Sequence, residues 1–220
     1  MEPTPSPVER PGKAYLKKLL SDRNQFPDRV EEIDAVIRRT FEQRVAVLVL
    51  DMSGFSRLTI QYGIIHYLGM IVQMEVASRP AVLENHGRVI KVEADNLFAV
   101  FDNPDDAVEG ALDILRAFRA VNSVVPENRD LHGCIGIGYG DTLVLEEEDM
   151  FGCELNLASK LGEDLAGPGE ILITAAAREA MSGNRHRLAK RSFRASGVDI
   201  ECYRYLGRAT GYLPDLPDVP

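Results

Sequence analysis

Val45–Ser56 reads VAVLVLDMSGFS, and Gly87–Phe101 reads GRVIKVEADNLFAVF. In each, a run rich in Val, Ile and Leu meets a carboxylate where the chain must turn: Asp51 after the first, Asp95 inside the second. The six apolar residues Val45–Leu50 are too few for a helix and suit a strand buried on both faces. Gly54 just beyond frees the backbone to approach a ligand. Gly87–Val92 and Leu97–Phe101 read as a hairpin with Glu93, Ala94, Asp95 and Asn96 as its turn. With the first strand beside this hairpin, Asp51 and Asp95 face each other. Two adjacent carboxylates repel, so the arrangement is best tolerated with hard cations between them. The plain alternative is that Asp51 caps the next segment and Asp95 merely makes a turn.

Outward from these stretches, Met1–Gly12 carries four prolines and no periodic pattern and is expected to be disordered. Lys13–Arg23 reads as a short helix, and Asp28–Gln43 as a clearer one with Val30, Ile33, Val36 and Ile37 on its apolar side. The second of these is either a dimer-forming or signal-transmitting element or a cover on the sheet. A long helix is predicted from Ile64 to Glu84, broken or bent near Pro80, with Ile64, Ile65, Leu68, Ile71, Val72, Val76 and Val82 supplying an apolar face. Pro104 opens a further helix to Ala120, and Leu131–Tyr139 is strand-like, its glycines 133, 136, 138 and 140 suggesting close approach of another backbone or ligand. The order β, α, β, β, α, β is that of the α+β ferredoxin-like fold, with helices on one face of a mainly antiparallel sheet and the other face uncovered. A C-terminal extension follows: an acidic run at Glu146–Asp149, a helix over Glu154–Leu165, a strand at Glu170–Thr174, a short helix to Met181 and closing strands near Lys190–Phe193 and Asp199–Leu206.

A net charge of −9 and a pI near 5.0 argue against a nucleic-acid partner or an anionic-membrane surface. Cys134, Cys153 and Cys202 form no CxxC pair and suit buried thiols in a reducing compartment. His66, His86, His132 and His186 show no zinc-ligand spacing. No apolar run approaches the ~20 residues of a membrane span. The expectation is a cytoplasmic protein.

At the level of motifs, LVLDMSGFSRLT resembles the first metal-binding segment of class III nucleotide cyclases, the adenylate and guanylate cyclase catalytic domain family. RVIKVEADNLFAVF resembles its second, with a lysine four residues before the second metal Asp. DMFGCELNLASKL resembles the helix-opening segment D-x-x-G-x-x-V-N-x-A-S-R, and GPGEILIT the strand that follows it. The match runs from Arg44 to Gly207, which divides the chain into an N-terminal extension (1–43), a cyclase-like domain (44–207) and a tail (208–220).

A cyclase makes the 3′-hydroxyl of a nucleoside triphosphate attack its own α-phosphate and expel pyrophosphate. That reaction needs mainly positioning and charge stabilisation. The resemblance implies that Asp51 and Asp95 hold two Mg²⁺ or Mn²⁺ ions and that the backbone of Ser53, Gly54, Phe55 and Ser56 cradles the triphosphate. Lys91 and Asp149 stand where adenine is selected. An ammonium donates to ring N1 and a carboxylate accepts from the 6-amino group, so ATP is the implied substrate and cyclic AMP the product. Asn156 stands where the family orients the ribose, Arg194 near a phosphate-binding position. Lys160 replaces the family's transition-state arginine, keeping the charge but not the bidentate fork, and Ala94 replaces a glycine. Since the family builds each site from two subunits and this chain carries both residue sets, a homodimer is implied. The alternative is a cyclase-like module that binds nucleotide or metal and regulates a partner without turnover.

Overall fold

Strand β1 (Glu42–Met52) runs through the middle of the sheet, and its alternation sets the layers. The computed structural model describes residues 11–183, 185–195 and 198–209. Disorder expected over residues 1–12 and the irregular tail therefore lie almost wholly outside the described residues. Two helices, α1 (Lys13–Gln25) and α2 (Val30–Phe41), precede β1, joined by a 3₁₀ turn at Pro27–Arg29. After β1 come α3 (Phe55–Tyr62), α4 (Ile64–Glu84), β2 (Arg88–Glu93), β3 (Asn96–Phe101), α5 (Pro104–Asn122) and β4 (Gly133–Leu145). Then β5 (Asp149–Phe151), α6 (Cys153–Ser159), β6 (Ile171–Thr174), α7 (Ala175–Ala180), β7 (His186–Ala195) and β8 (Val198–Arg208) follow among the described residues.

The sheet order is β2-β3-β1-β4-β6-β8-β7, with β5 folded back on β4. Its first four strands pair antiparallel in the ferredoxin-like order. The period of two in a strand sends Ala46, Leu48, Leu50 and Met52 of β1 to a core shared with α4 and α5. Val45, Val47 and Val49 go to the opposite face, against Leu155 and Ala158 of α6 and Met150 of β5. The second face is thus partly covered rather than open, because α6 lies on β4 where the glycines remove the side chains: a Cβ at Gly136 would sit 1.9 Å from the Ala158 carbonyl oxygen.

Several details differ from the sequence reading. Pro80 is accommodated inside a continuous α4. That helix is apolar almost all round, so periodicity cannot choose its buried side; Tyr67, Met70, Met74 and Val82 face the core, while Ile65, Leu68, Val72 and Val76 are exposed. Of the three thiols, Cys134 and Cys202 are buried but Cys153 is exposed. The short α3 and β5 were not foreseen, and β4, β7 and β8 are each longer than their apolar runs because polar residues pair at their ends.

Candidate active site

Asp51 stands near the end of β1, paired with Asn96 on one side and Cys134 on the other. Asp95 is in the two-residue turn between β2 and β3, and its carbonyl accepts the Met52 N–H at 3.1 Å, which fastens the turn to the end of β1. The two carboxylates share one electrostatic environment. Burial first, then the charges of Asp95, Glu163 and Asp164, push the Asp51 carboxyl up to about 7. Glu163 is raised by burial too, with Asp164 and Asp95 adding to the effect against a hydrogen bond with Ser159. The Tyr67 hydroxyl lies 3.0 Å from Asp95 Oδ2 and 3.2 Å from the Met52 carbonyl oxygen, its one proton shared between these two acceptors, so it ties the turn to α4; burial and Asp95 raise its pKa.

Ala94, the first residue of that turn, has φ +51°, a left-handed conformation that costs an alanine about 1 kcal/mol. This explains why glycine would be the ordinary choice there. Gly54 has φ +99° and opens α3, as the sharp exit from β1 requires. The Ser53 N–H is donated to the His132 carbonyl at 2.9 Å, so an anion cradle in this turn starts no earlier than Gly54. Phe55 and Ser56 begin α3; their side chains, and that of Arg194 on β7, lie outside the described residues.

Lys91 on β2 and Asp149 on β5 are brought together, with Nζ 2.9 Å from Oδ1. Lys91 Nζ also reaches Glu93 at 2.6 Å and lies 4.8 Å from the centre of the Phe98 ring. Burial opposes the charge on both members, yet their hydrogen bonds outweigh it: Lys91 stands above the usual lysine pKa, and Asp149 is held below the usual carboxylate range by Lys13, Lys91 and the Met150 N–H. Asn156 is exposed on α6. Lys160 begins a single π-helical turn (Lys160–Leu165) that continues α6, and it pairs with Asp164 at 2.8 Å. The π turn seats the Gly162 backbone on β1, where a Cβ would be 3.0 Å from the Val49 carbonyl oxygen.

Sequence reasoning missed Tyr67, Glu163, Asp164 and Lys13. Glu163 and Asp164 carried a signal, lying two helical turns after Asn156; Tyr67 and Lys13 come from elements whose contacts no motif records. Among the described residues no three His, Cys, Asp or Glu side chains converge into a ready-made metal cage. Two carboxylates suit Mg²⁺ or Mn²⁺, which commonly take one or two acids and complete their shell with substrate phosphates and water. Burial lifts Asp51 most and repulsion from its acidic neighbours adds to it; a cation there would offset both.

No model of a known protein family matches the chain. A Rhizobium meliloti protein carrying the provisional name adenylate cyclase 3 is 31% identical over 138 residues, 63% of this chain and 23% of that protein. The adenylate cyclase of Streptomyces coelicolor is 30% identical over 144 residues, 66% of this chain and 36% of that protein. The chain thus spans about a quarter to a third of the curated relatives it matches. Among solved structures, the guanylyl cyclase Cya2 superposes with a TM-score of 0.66 at 19% identity, covering 80% of this chain and 98% of that one. The catalytic core of a rhodopsin-guanylyl cyclase with converted specificity, in complex with ATPαS, gives 0.65 at 18% identity over 76% of this chain and 98% of that one. No helix of the described residues is long and apolar enough to cross a membrane. The chain therefore has the fold of the class III adenylate/guanylate cyclase catalytic domain, and its sequence likeness runs to the same family.

Proposed function

We propose that the chain is an adenylate cyclase that converts ATP to 3′,5′-cyclic AMP and pyrophosphate at two sites shared across a homodimer. The observation that carries this reading is the meeting of Asp51 and Asp95 where β1 and the hairpin turn are fastened together, with Glu163 close enough to feel both charges. Asp51 and Asp95 are the residues that would hold divalent cations, Mg²⁺ or Mn²⁺. When bound, those ions neutralise phosphate charge and lower the pKa of a hydroxyl beside them. The chain's own part is positioning. Tyr67 keeps the Asp95 carboxylate aimed, the positive φ of Gly54 turns the backbone toward a triphosphate, and Lys91 with Asp149 reads the base. Guanine, with an acceptor at position 6 and a proton at N1, would set acceptor against carboxylate and donor against ammonium.

The dimer reading is supported by where α6 lies. Glu154 packs by Gly138 and Gly140 and Ala158 by Gly136, whereas Asp51 is in register with Cys134. Asn156 of the same chain is therefore roughly 10 Å along the strand from Asp51 at ~3.3 Å per residue. A second copy would bring its own Asn156 over the first copy's carboxylates, and Lys160 one helical turn further on would come with it. Lys160 would then stabilise charge on the transferred phosphate, after giving up its pairing with Asp164. The test is incubation of the purified chain with ATP or GTP plus Mn²⁺ or Mg²⁺, followed by chromatographic detection of the cyclic nucleotide. Cyclic AMP well above cyclic GMP is expected. Binding of ATP with no cyclic product under either metal would instead favour a regulatory module.

A further inference from the structure

The base-reading acid of the proposed site is held from outside the cyclase-like sheet. Helix α1 begins at Lys13 with no acidic residue in its first turn and no side-chain cap. The cap comes instead from the turn between β4 and β5: Glu148 Oε2 accepts the Lys13 N–H at 2.5 Å. Lys13 Nζ then reaches past it to Asp149 Oδ2 at 2.6 Å. At Gly12 a Cβ would lie 2.4 Å from Glu148 Oε1, so the chain runs flush against that turn. Leu16 and Leu19 fix α1 in this place, in one apolar cluster with Ile33, Ile37, Phe41 and Leu145, and Leu145 is the residue directly opposite Asp149 in the β4–β5 pairing.

The hydrogen-bond arithmetic at Asp149 is nearly closed. A carboxylate has about four acceptor positions and an ammonium three donors. Oδ1 of Asp149 takes Lys91 Nζ at 2.9 Å and the Met150 N–H at 3.0 Å, and Oδ2 takes Lys13. One acceptor position remains, on Oδ2. Lys91 directs donors at Glu93 and Asp149, which leaves one. A purine edge entering beside the pair would meet one donor and one acceptor, the complement of adenine N1 and its 6-amino group.

We infer that Lys13 is a positioning residue for base selection: by holding Asp149 Oδ2 it leaves a single acceptor turned toward the nucleotide, and the docking of α1 thereby sets the preference for adenine over guanine. This rests on the base-reading role proposed above for Lys91 and Asp149. Without Lys13 the carboxylate is free to turn both oxygens toward Lys91, taking up the donor that adenine N1 needs. The Lys13 side chain is 61% exposed and that of Asp149 10%, so the contact can be removed with little cost to folding.

Equilibrium binding of 3′-deoxy-ATP and 3′-deoxy-GTP to the full chain with Mg²⁺ tests this, since neither probe has the hydroxyl needed to react. Lys13→Ala should weaken 3′-deoxy-ATP binding about fivefold, the upper end for an ion pair with one exposed partner, and leave 3′-deoxy-GTP within about twofold. Lys13→Arg should restore adenine preference, and Leu16→Ala with Leu19→Ala, which loosens α1, should reduce it. Unchanged adenine binding, equal weakening for both bases, or tighter adenine binding would each overturn the inference, the last by making Lys13 a plug that the nucleotide displaces. A wild-type chain that forms no cyclic AMP yet shows the selective loss would sink the cyclase reading and keep the role of Lys13. A chain that forms cyclic AMP and ignores Lys13→Ala would do the reverse.

Discussion

Gly136→Ala probes the packing on which the placement of Asn156 and Lys160 depends. The added Cβ would stand 1.9 Å from the Ala158 carbonyl oxygen and 2.7 Å from the Gly162 nitrogen, where ordinary contact begins near 3.4 Å. Both neighbours are backbone, so no rotamer change absorbs the clash, and α6 with its π turn must lift from β4 by roughly 1.5 Å. Overpacking of this kind costs about 3 kcal/mol, the upper part of its usual range, since Leu155, Ala158 and Leu161 lose contact together. With a urea slope of about 2–3 kcal/mol/M, the unfolding midpoint followed by far-UV circular dichroism should fall by about 1 M. Turnover should fall further, about a hundredfold, if Asn156 and Lys160 play the roles proposed for them, because the same shift carries both away from the substrate. Gly69→Ala is the control: a Cβ there meets nothing within 4 Å, and alanine in the middle of α4 should add up to about 1 kcal/mol. A Gly136→Ala protein with an unchanged midpoint and full activity would refute the close seating of α6 on β4.

Three further outcomes follow from single residues. Ala94→Gly removes an alanine from φ +51° and should raise thermal stability by about 0.5–1 kcal/mol; a lowered melting temperature would mean that the turn holds this conformation without strain. Asp51 keeps its proton up to about pH 7 in the native chain, whereas the unfolded carboxyl releases it near 4, so metal-free stability should decline as pH rises through that window by about 1–2 kcal/mol. Asp51→Asn should flatten this slope, and Mn²⁺ at pH 8 should raise the melting temperature of the wild type but not of the variant; equal pH slopes in the two proteins would remove Asp51 from the acidic cluster. Lys160→Arg should raise kcat by about three- to tenfold with little change in KM, because a bidentate contact gains most as charge develops on the phosphate, and a fall in kcat would assign this lysine another role.

The central strands were legible because burial on both faces leaves an unbroken Val/Leu run in β1, and because Ala94-Asp95 interrupts the hairpin pattern where the chain turns. The orientation of α4 was not legible, since Ile65, Val72 and Val76 are as apolar as the Met70 and Met74 that the core takes up. Exposed aliphatic residues leave no polar stripe to mark the solvent side. The motifs singled out Asp51, Asp95, Lys91, Asp149, Asn156 and Lys160 as candidates, but the surroundings of these residues depend on long-range contacts. Tyr67 reaches Asp95 only once α4 has folded back over the sheet, and Lys13 meets Asp149 across 136 residues of sequence. The glycines of β4 suggested a close approach without naming the partner, which is the backbone of α6 and its π turn at Gly136, the α6 backbone at Gly138, the Glu154 side chain at Gly140 and the Leu50 and Phe118 side chains at Gly133.

A mixing experiment bears most directly on the proposal that the catalytic site is shared between two subunits. On the proposed mechanism Asp51→Ala and Asn156→Ala should each be nearly inactive alone, since every site in either pure homodimer would lack its metal acid or its ribose contact. In a mixed dimer one site collects both lesions and the other neither. Random pairing makes about half the dimers mixed, each with one intact site of two, so cyclic AMP formation after co-expression in equal amounts should recover to about a quarter of the wild-type rate. Absence of recovery in preparations shown to contain the mixed dimer would mean that Asp51 and Asn156 do not meet across an interface, and the two-subunit mechanism would be wrong.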